Sequence, residues 1–319
     1  MSVLLVCLPV ERLSEAQFAQ LQAAAPDMRV VRMTERAEIE GLIDEVEIAV
    51  SFPHDLLARA SHLRWVQEWG AGVDWLLQHP EVAELDFTLT NASGVHAIPI
   101  SEQILAYLLA FARGLPAAVR AQDRHTWQPA KRDQLFELAG KTMLLVGVGA
   151  IGERTAVIAA ALGMRVLGIR RNPAGDIPGV EAIYGSDQLH DLLPEADFVV
   201  LTVPLSHATQ GMIGERELRV MKPTSYVINI GRGGTIQQPA LIQALREGWI
   251  AGAGLDVFDQ EPLPATSPLW ELENVIMTAH YAGLTPVYNQ RALAILLDNL
   301  KRYRAGEPLK NVVDKAAGY

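Results

Sequence analysis

Arg232, Glu261 and His280 are the residues whose types and settings could do chemistry together. They fall in INIGRGG (228–234), GLDVFDQEP (254–262) and TAHYAGLT (278–285), and each phrase reads as a short apolar strand running into a polar loop. In an open parallel sheet, such loops converge at the carboxyl ends of the strands, where ligands bind. A permanent cation, a carboxylate and an imidazole gathered there are what reduction of a 2-keto acid needs. The guanidinium would hold the substrate carboxylate and polarise the ketone. The imidazolium would protonate the oxygen that becomes a hydroxyl, and the carboxylate would orient the imidazole.

The elements that must position them alternate along the chain. SVLLVCLP (2–9), MRVVRM, EIAVSF and LRWVQEW read as strands, with helical stretches such as SEAQFAQLQAAA (14–25) between them, and together they predict a small βα domain. SEQILAYLLAFARGLPAAVRAQ (101–122) reads as one long helix, apolar on most faces, with Ser101 as a candidate N-cap. A second βα series begins at KTMLLVGVGAIGERTAVIAAALGMRVLGIRRNP (141–173) and continues through DFVVLTV, SYVINI, AGAGLDVF and NVIMTAH. Strands alternating with helices predict an α/β fold with a doubly wound parallel sheet.

Gly147, Gly149 and Gly152 form G-x-G-x-x-G between the strand MLLV and the helix that follows, with Ala150 and Ile151 inside the turn. In that setting the first glycine permits the tight turn, the second lets backbone approach a pyrophosphate, and the third allows close helix–strand packing. The helix N-terminus then offers unpaired N–H groups to phosphate. The next strand, RVLGI, ends in Arg170 and Arg171, where an NAD-binding chain usually carries an acid for the ribose 2′-hydroxyl. Two guanidiniums there favour a 2′-phosphate, so NADP(H) is expected over NAD(H), with NAD(H) as the second cofactor. Val203 and Pro204 close LTVP at the carboxyl end of another strand, so their loop is expected to pass near the nicotinamide ribose, and Asp256 is a candidate partner for the nicotinamide amide or, equally, a structural acid capping its loop.

Composition narrows the class. The 319 residues suggest about two domains, and the net charge of −10 argues against a nucleic-acid or anionic-membrane surface. The single cysteine, Cys7, permits no internal disulfide, no apolar run has membrane-span length, and no signal peptide is recognisable, so a cytoplasmic protein is expected. No His, Cys or carboxylate cluster has metal-ligand spacing. Of the eight histidines, six (His54, His62, His79, His125, His190 and His207) have no supporting motif, while His96 lies where the chain crosses between domains.

Taken together, GAGVD (70–74), SGVHAIPISEQILAYLLAFARGLP (93–116), GVGAIG, LTVPLSHATQGMIG, MKPTSYVINIGRGG, LDVFDQEPLP, TAHYAGLTP and the closing helix resemble the D-isomer-specific 2-hydroxyacid dehydrogenases over nearly the whole chain. The arginine pair makes the chain look most like the NADPH-linked glyoxylate/hydroxypyruvate reductases. The resemblance implies two Rossmann-like domains with the active site in the cleft between them. It implies a discontinuous substrate domain (1–98 plus 287–319), a dinucleotide-binding domain (99–286), and a homodimer formed largely through the coenzyme domains. Arg232 then matches the substrate-binding arginine, Glu261 the acid of the pair and His280 the acid/base. The N–H groups of Ala71, Gly72 and Val73 match the carboxylate-binding turn, a natural anion nest. Gly283 completes the cofactor-facing set. Gly231, Gln237 and Ala279 depart from the family's common Ala or Ser, Asp and Pro. The loop Ser51-Phe52-Pro53, after the strand EIAV, is a candidate to face the substrate side chain, as are Trp75 and Tyr281. A different class stays open: some relatives are dinucleotide-responsive corepressors without significant turnover.

Overall fold

The computed structural model describes residues 2–318. The chain divides into two compact units, one running to Val95 and resuming at Thr285, the other spanning His96–Leu284.

The first unit holds a five-stranded parallel sheet. Its strands are β1 (Val3–Val6), β2 (Arg29–Arg32), β3 (Val46–Val50), β4 (Trp65–Gln67) and β5 (Thr88–Thr90), in the order β2-β1-β3-β4-β5. β1 is buried on both faces, as its unbroken VLLV run requires. One face packs on the 3-10 turn at 54–59 and on Leu76 and Val82; the other packs on helices Glu15–Ala24 and Tyr288–Ala305. Ser14 and Gln17 form a capping box at the start of the first of these helices, and Gly306, at φ 66°, closes the second. A buried polar chain ties the returning helix to the sheet. Trp65 Nε1 donates to Thr90 Oγ1 (2.7 Å), Thr90 Oγ1 to Gln67 Oε1 (2.8 Å), and Asn299 Nδ2 to the same oxygen (3.3 Å). The side chains of Trp65, Gln67, Thr90 and Asn299 thus partner one another inside the core.

The second unit holds seven parallel strands: β6 (Thr142–Val146), β7 (Arg165–Ile169), β8 (Ala182–Tyr184), β9 (Phe198–Leu201), β10 (Tyr226–Asn229), β11 (Gly252–Leu255) and β12 (Val275–Met277). Their order is β12-β11-β10-β9-β6-β7-β8, so the winding reverses between β6 and β9. That switch point is where an open α/β sheet leaves a crevice at the strands' carboxyl ends. Both faces are covered by apolar cores.

The long apolar segment differs from its sequence reading. It forms two helices, Ala97–Ala112 and Leu115–Asp123, bent by 73°. The break is at Gly114, which takes the left-handed conformation (φ 64°). The first helix starts at His96, not Ser101, because Pro99 is tolerated in a first turn whose N–H groups have no helical partner anyway. Ser101 is instead buried and donates to the Ile98 carbonyl (2.9 Å). Among the described residues, no single helix is long and apolar enough to cross a membrane.

Candidate active site

Six loops leave the carboxyl ends of β6, β7, β9, β10, β11 and β12, and they carry nearly all the candidate residues of the second unit. The β10 loop is stapled by Asn229, whose side chain is buried. It accepts from Gly231 N (3.1 Å) and donates to the Arg232 carbonyl (3.0 Å), which also receives Thr235 Oγ1 (2.7 Å). Arg232 is half-buried, and its Nη1 donates to the Gly231 carbonyl (2.8 Å). A β-carbon at Gly231 would sit 2.6 Å from the Val203 carbonyl, so the bare glycine, in place of the commoner Ala or Ser, lets the β9 and β10 loops touch.

On the β11 loop, Glu261 turns back on itself. Its Oε1 accepts the Phe258 N–H (2.9 Å), and its Oε2 lies 2.6 Å from His280 Nδ1. An ionised carboxylate only accepts, so Nδ1 carries the hydrogen of that bond, and Nε2 is left for other partners. His280 has φ 53°, a left-handed conformation sparsely populated by non-glycine residues.

Asp256 holds the segment that carries this histidine. Its carbonyl accepts His280 N (2.9 Å), while its carboxylate accepts Tyr281 N (3.0 Å), Ala282 N (3.0 Å) and Thr278 Oγ1 (2.5 Å). Three successive amides thus hang on one buried aspartate.

The glycine turn fits a dinucleotide. A β-carbon at Gly147 (φ 98°) would meet Val203 Cγ1 at 2.8 Å, and one at Gly152 would meet the Gly147 carbonyl at 2.5 Å, whereas one at Gly149 would meet nothing within 4 Å. The first and third glycines are therefore filled by protein packing, and the middle one opens onto free space. Gly149 is also the N-cap of helix Ala150–Ala161 and has no side-chain cap, which leaves the helix N-terminus available to an anion. Thr202 locks the turn from β9 by donating to the Gly147 carbonyl (2.5 Å). Arg170 and Arg171 follow β7 directly, the first half-buried and the second exposed.

In the first unit, Ala71, Gly72 and Val73 follow β4. The Ala71 carbonyl is pinned by Asn91 Nδ2 (2.8 Å), and Val73 is buried. Phe52 is 1% exposed and belongs to the core, so it does not present its ring to a ligand. Trp75 stacks on His54, ring centroids 3.6 Å apart. Tyr281 remains exposed beside His280. Burial, with Glu68 nearby, pushes the Cys7 thiol up to about 12, so it is no nucleophile at neutral pH.

Residues 105–282, more than half of the chain, match the family described as D-isomer specific 2-hydroxyacid dehydrogenase, NAD binding domain. A glyoxylate reductase from Korarchaeum cryptofilum is 37% identical over 267 residues, 82% of this chain and 79% of the relative. The chain belongs to the D-isomer specific 2-hydroxyacid dehydrogenase family. Among solved structures, a D-isomer specific 2-hydroxyacid dehydrogenase from Xanthobacter autotrophicus Py2, in complex with NADPH and MES, is 32% identical. It superposes with a TM-score of 0.86, covering 100% of this chain and 99% of that one. An NADPH-dependent glyoxylate/hydroxypyruvate reductase from Sinorhizobium meliloti, in complex with NADP and sulfate, is 29% identical. Its TM-score is 0.84, with 100% of both chains covered.

The family expected from the motifs is the one found, and both units of this 2-hydroxyacid dehydrogenase have the expected parallel α/β sheets. One residue outside the candidate set also belongs to this surroundings. His96 stands at the N-cap position of the helix Ala97–Ala112, and a β-carbon on Gly283 would lie 2.7 Å from its ring. Burial, then the charges of Arg232 and His280, hold its pKa below the ordinary value. Its signal in the sequence was only its place in SGVHAIP, ahead of the long apolar segment.

Proposed function

We propose that this chain reduces small 2-keto acids, glyoxylate and hydroxypyruvate foremost, to D-2-hydroxy acids with NADPH. The observation that carries the reading is the 2.6 Å pairing of Glu261 Oε2 with His280 Nδ1, in the same unit as the glycine turn open at Gly149. The names of relatives support it, since glyoxylate reductases and NADP-bound members of the family resemble the chain.

When bound, the reduced nicotinamide supplies the hydride that the carbonyl carbon receives. Glu261 fixes the Nδ1–H side of His280, so Nε2 delivers the proton to the ketone oxygen, and hydride plus proton complete the alcohol. Arg232 holds the substrate carboxylate and polarises the carbonyl. In the first unit, the Ala71, Gly72 and Val73 amides are proposed as an anion-binding turn in their own right. Gly147, Gly149, Ala150, Ile151 and Gly152 cradle the pyrophosphate, and Arg170 and Arg171 take the 2′-phosphate, with NADH as the weaker alternative. Val203, Pro204 and Gly283 border the nicotinamide half. A carboxylate offers about four acceptor sites; Asp256 uses three within the protein, leaving one for the nicotinamide amide. We place the protein in the cytoplasm as a homodimer.

The test is the loss of NADPH absorbance with hydroxypyruvate and with glyoxylate, NADH being run in parallel. NADPH-preferring turnover is expected. Tight dinucleotide binding without turnover of either acid would replace this reading with a regulatory, corepressor-like one.

A further inference from the structure

A chain of hydroxyls links the core of the second unit to the His280 segment. Tyr107 lies on the helix Ala97–Ala112 and is 2% exposed. Its Oη is 2.5 Å from Thr278 Oγ1, which is 2.5 Å from Asp256 Oδ1. The proton positions follow from chemistry. A carboxylate only accepts, so Thr278 gives its single hydrogen to Asp256, and Tyr107 must donate to Thr278. The Leu255 carbonyl, 3.2 Å from the phenol, shares that hydrogen. Burial pushes the Tyr107 phenol up to about 12 despite its hydrogen bonds to Thr278 and Gln103, so it keeps its hydrogen at neutral pH.

The ring has a built seat. A β-carbon at Gly254 would fall 2.8 Å from Tyr107 Cγ and 2.9 Å from Ile228 Cδ1, so β11 is bare where the ring lies. At the far end of the chain, Asp256 binds the amides of His280, Tyr281 and Ala282, and His280 is held at φ 53°. A residue in that region needs its surroundings to keep it there.

We propose that Tyr107 and Thr278 are positioning residues for His280, acting through Asp256 by a directed relay of hydroxyl hydrogen bonds. This rests on the reading of His280 as the proton donor, but the relay itself has a readout that does not depend on turnover. Losing the phenol hydroxyl frees Thr278 to turn away, which weakens the aspartate's hold on the three amides. The imidazole then samples orientations in which Nε2 misses the ketone.

The experiment compares full-length Tyr107→Phe, Thr278→Val and Thr278→Ser with the parent chain. Hydrogen exchange in peptides spanning 278–284 is measured beside kcat and KM for the keto acid. Tyr107→Phe and Thr278→Val are expected to speed exchange locally and to lower kcat about three- to twenty-fold, the size of one buried hydrogen bond, with little change in KM. Thr278→Ser, which keeps the hydroxyl, should restore both. Unchanged local exchange in Tyr107→Phe would overturn the relay. So would exchange rising evenly through the whole chain, since the tyrosine would then serve stability alone. If the parent chain turns over no keto acid, the reductase reading fails, while the exchange pattern still decides the relay.

Discussion

A β-carbon at Gly233 would lie 1.9 Å from the carbonyl carbon of Phe258. The loop that carries Arg232 and the loop that carries Glu261 therefore touch backbone to backbone, with no room for any side chain. The glycine sets the spacing between a guanidinium and a carboxylate on neighbouring strands. Gly233→Ala must push the two loops apart, because the obstacle is main chain and cannot rotate away. Overpacking of this kind costs about 1–3 kcal/mol or more. We expect a lowered melting temperature and a loss of kcat/KM of at least about ten-fold, since small misplacements of catalytic groups are expensive. Thermal unfolding and steady-state assays check both, and a variant that matches the parent in each would contradict the close approach.

His280 should be separable from cofactor binding. Its imidazole is oriented by Glu261 from one side, while the glycine turn and the arginine pair lie on other loops. His280→Ala removes the proposed proton donor and leaves those loops intact. Loss of a general acid typically costs roughly 10²–10⁴ in rate. The expected result is a fall in kcat within that range with NADPH affinity retained in a fluorescence titration. Near-parental turnover would take His280 out of the mechanism.

What the sequence disclosed depended on how local each signal was. Gly147, Gly149 and Gly152 could be read because a turn, an open approach and a close packing contact are demands on single residues between a strand and a helix. The parallel sheets could be read from alternating apolar runs. The break at Gly114 could not: its segment is apolar on both sides, and only the backbone angle there turns one helix into two. Phe52 read as a loop aromatic, yet it closes the core beneath β3, a matter of packing rather than pattern. Asp256 read as a ligand contact or a loop cap, but its hold on three successive amides depends on the register of β11 against β12. His96 acquires meaning only when the fold brings it beside residues far along the chain.

That setting gives His96 a pH signature. Burial first, then Arg232 and His280, depress its pKa from the ordinary 6.5, so the folded state favours the neutral ring. The unfolded chain takes up a proton more readily, so the stability from this site is full above pH 6.5 and is lost as pH falls through 6.5 toward the lower folded value. His96→Gln has no proton to gain. Its melting temperature should therefore decline less than the parent's as the buffer is taken from about pH 7.5 to about pH 5. Equal slopes for the two proteins would show that His96 takes up its proton at the same pH in the folded and unfolded chain, and that the fold does not depress its pKa.

Arg170 stands at the end of β7, with its amide donating to the Tyr184 carbonyl of the neighbouring strand (3.1 Å), so the backbone there is fixed by the sheet. A substitution at this position changes charge without releasing the loop. Arg170→Asp replaces a group suited to a 2′-phosphate with one that repels it and can accept a hydrogen bond from a ribose 2′-hydroxyl. A charge-assisted hydrogen bond is worth about 1.5–3 kcal/mol, so its loss alone lowers kcat/KM for NADPH about ten-fold or more. NADH should gain or hold steady, because its ribose carries no phosphate to be repelled. Arg171→Ala should weaken NADPH in the same direction with less effect on NADH, since it removes attraction without adding the acid. The decisive quantity is the ratio of kcat/KM for NADPH to that for NADH. If that ratio is unchanged in Arg170→Asp, the arginine pair does not read the 2′-phosphate, and the discrimination must come from another loop at the same end of the sheet.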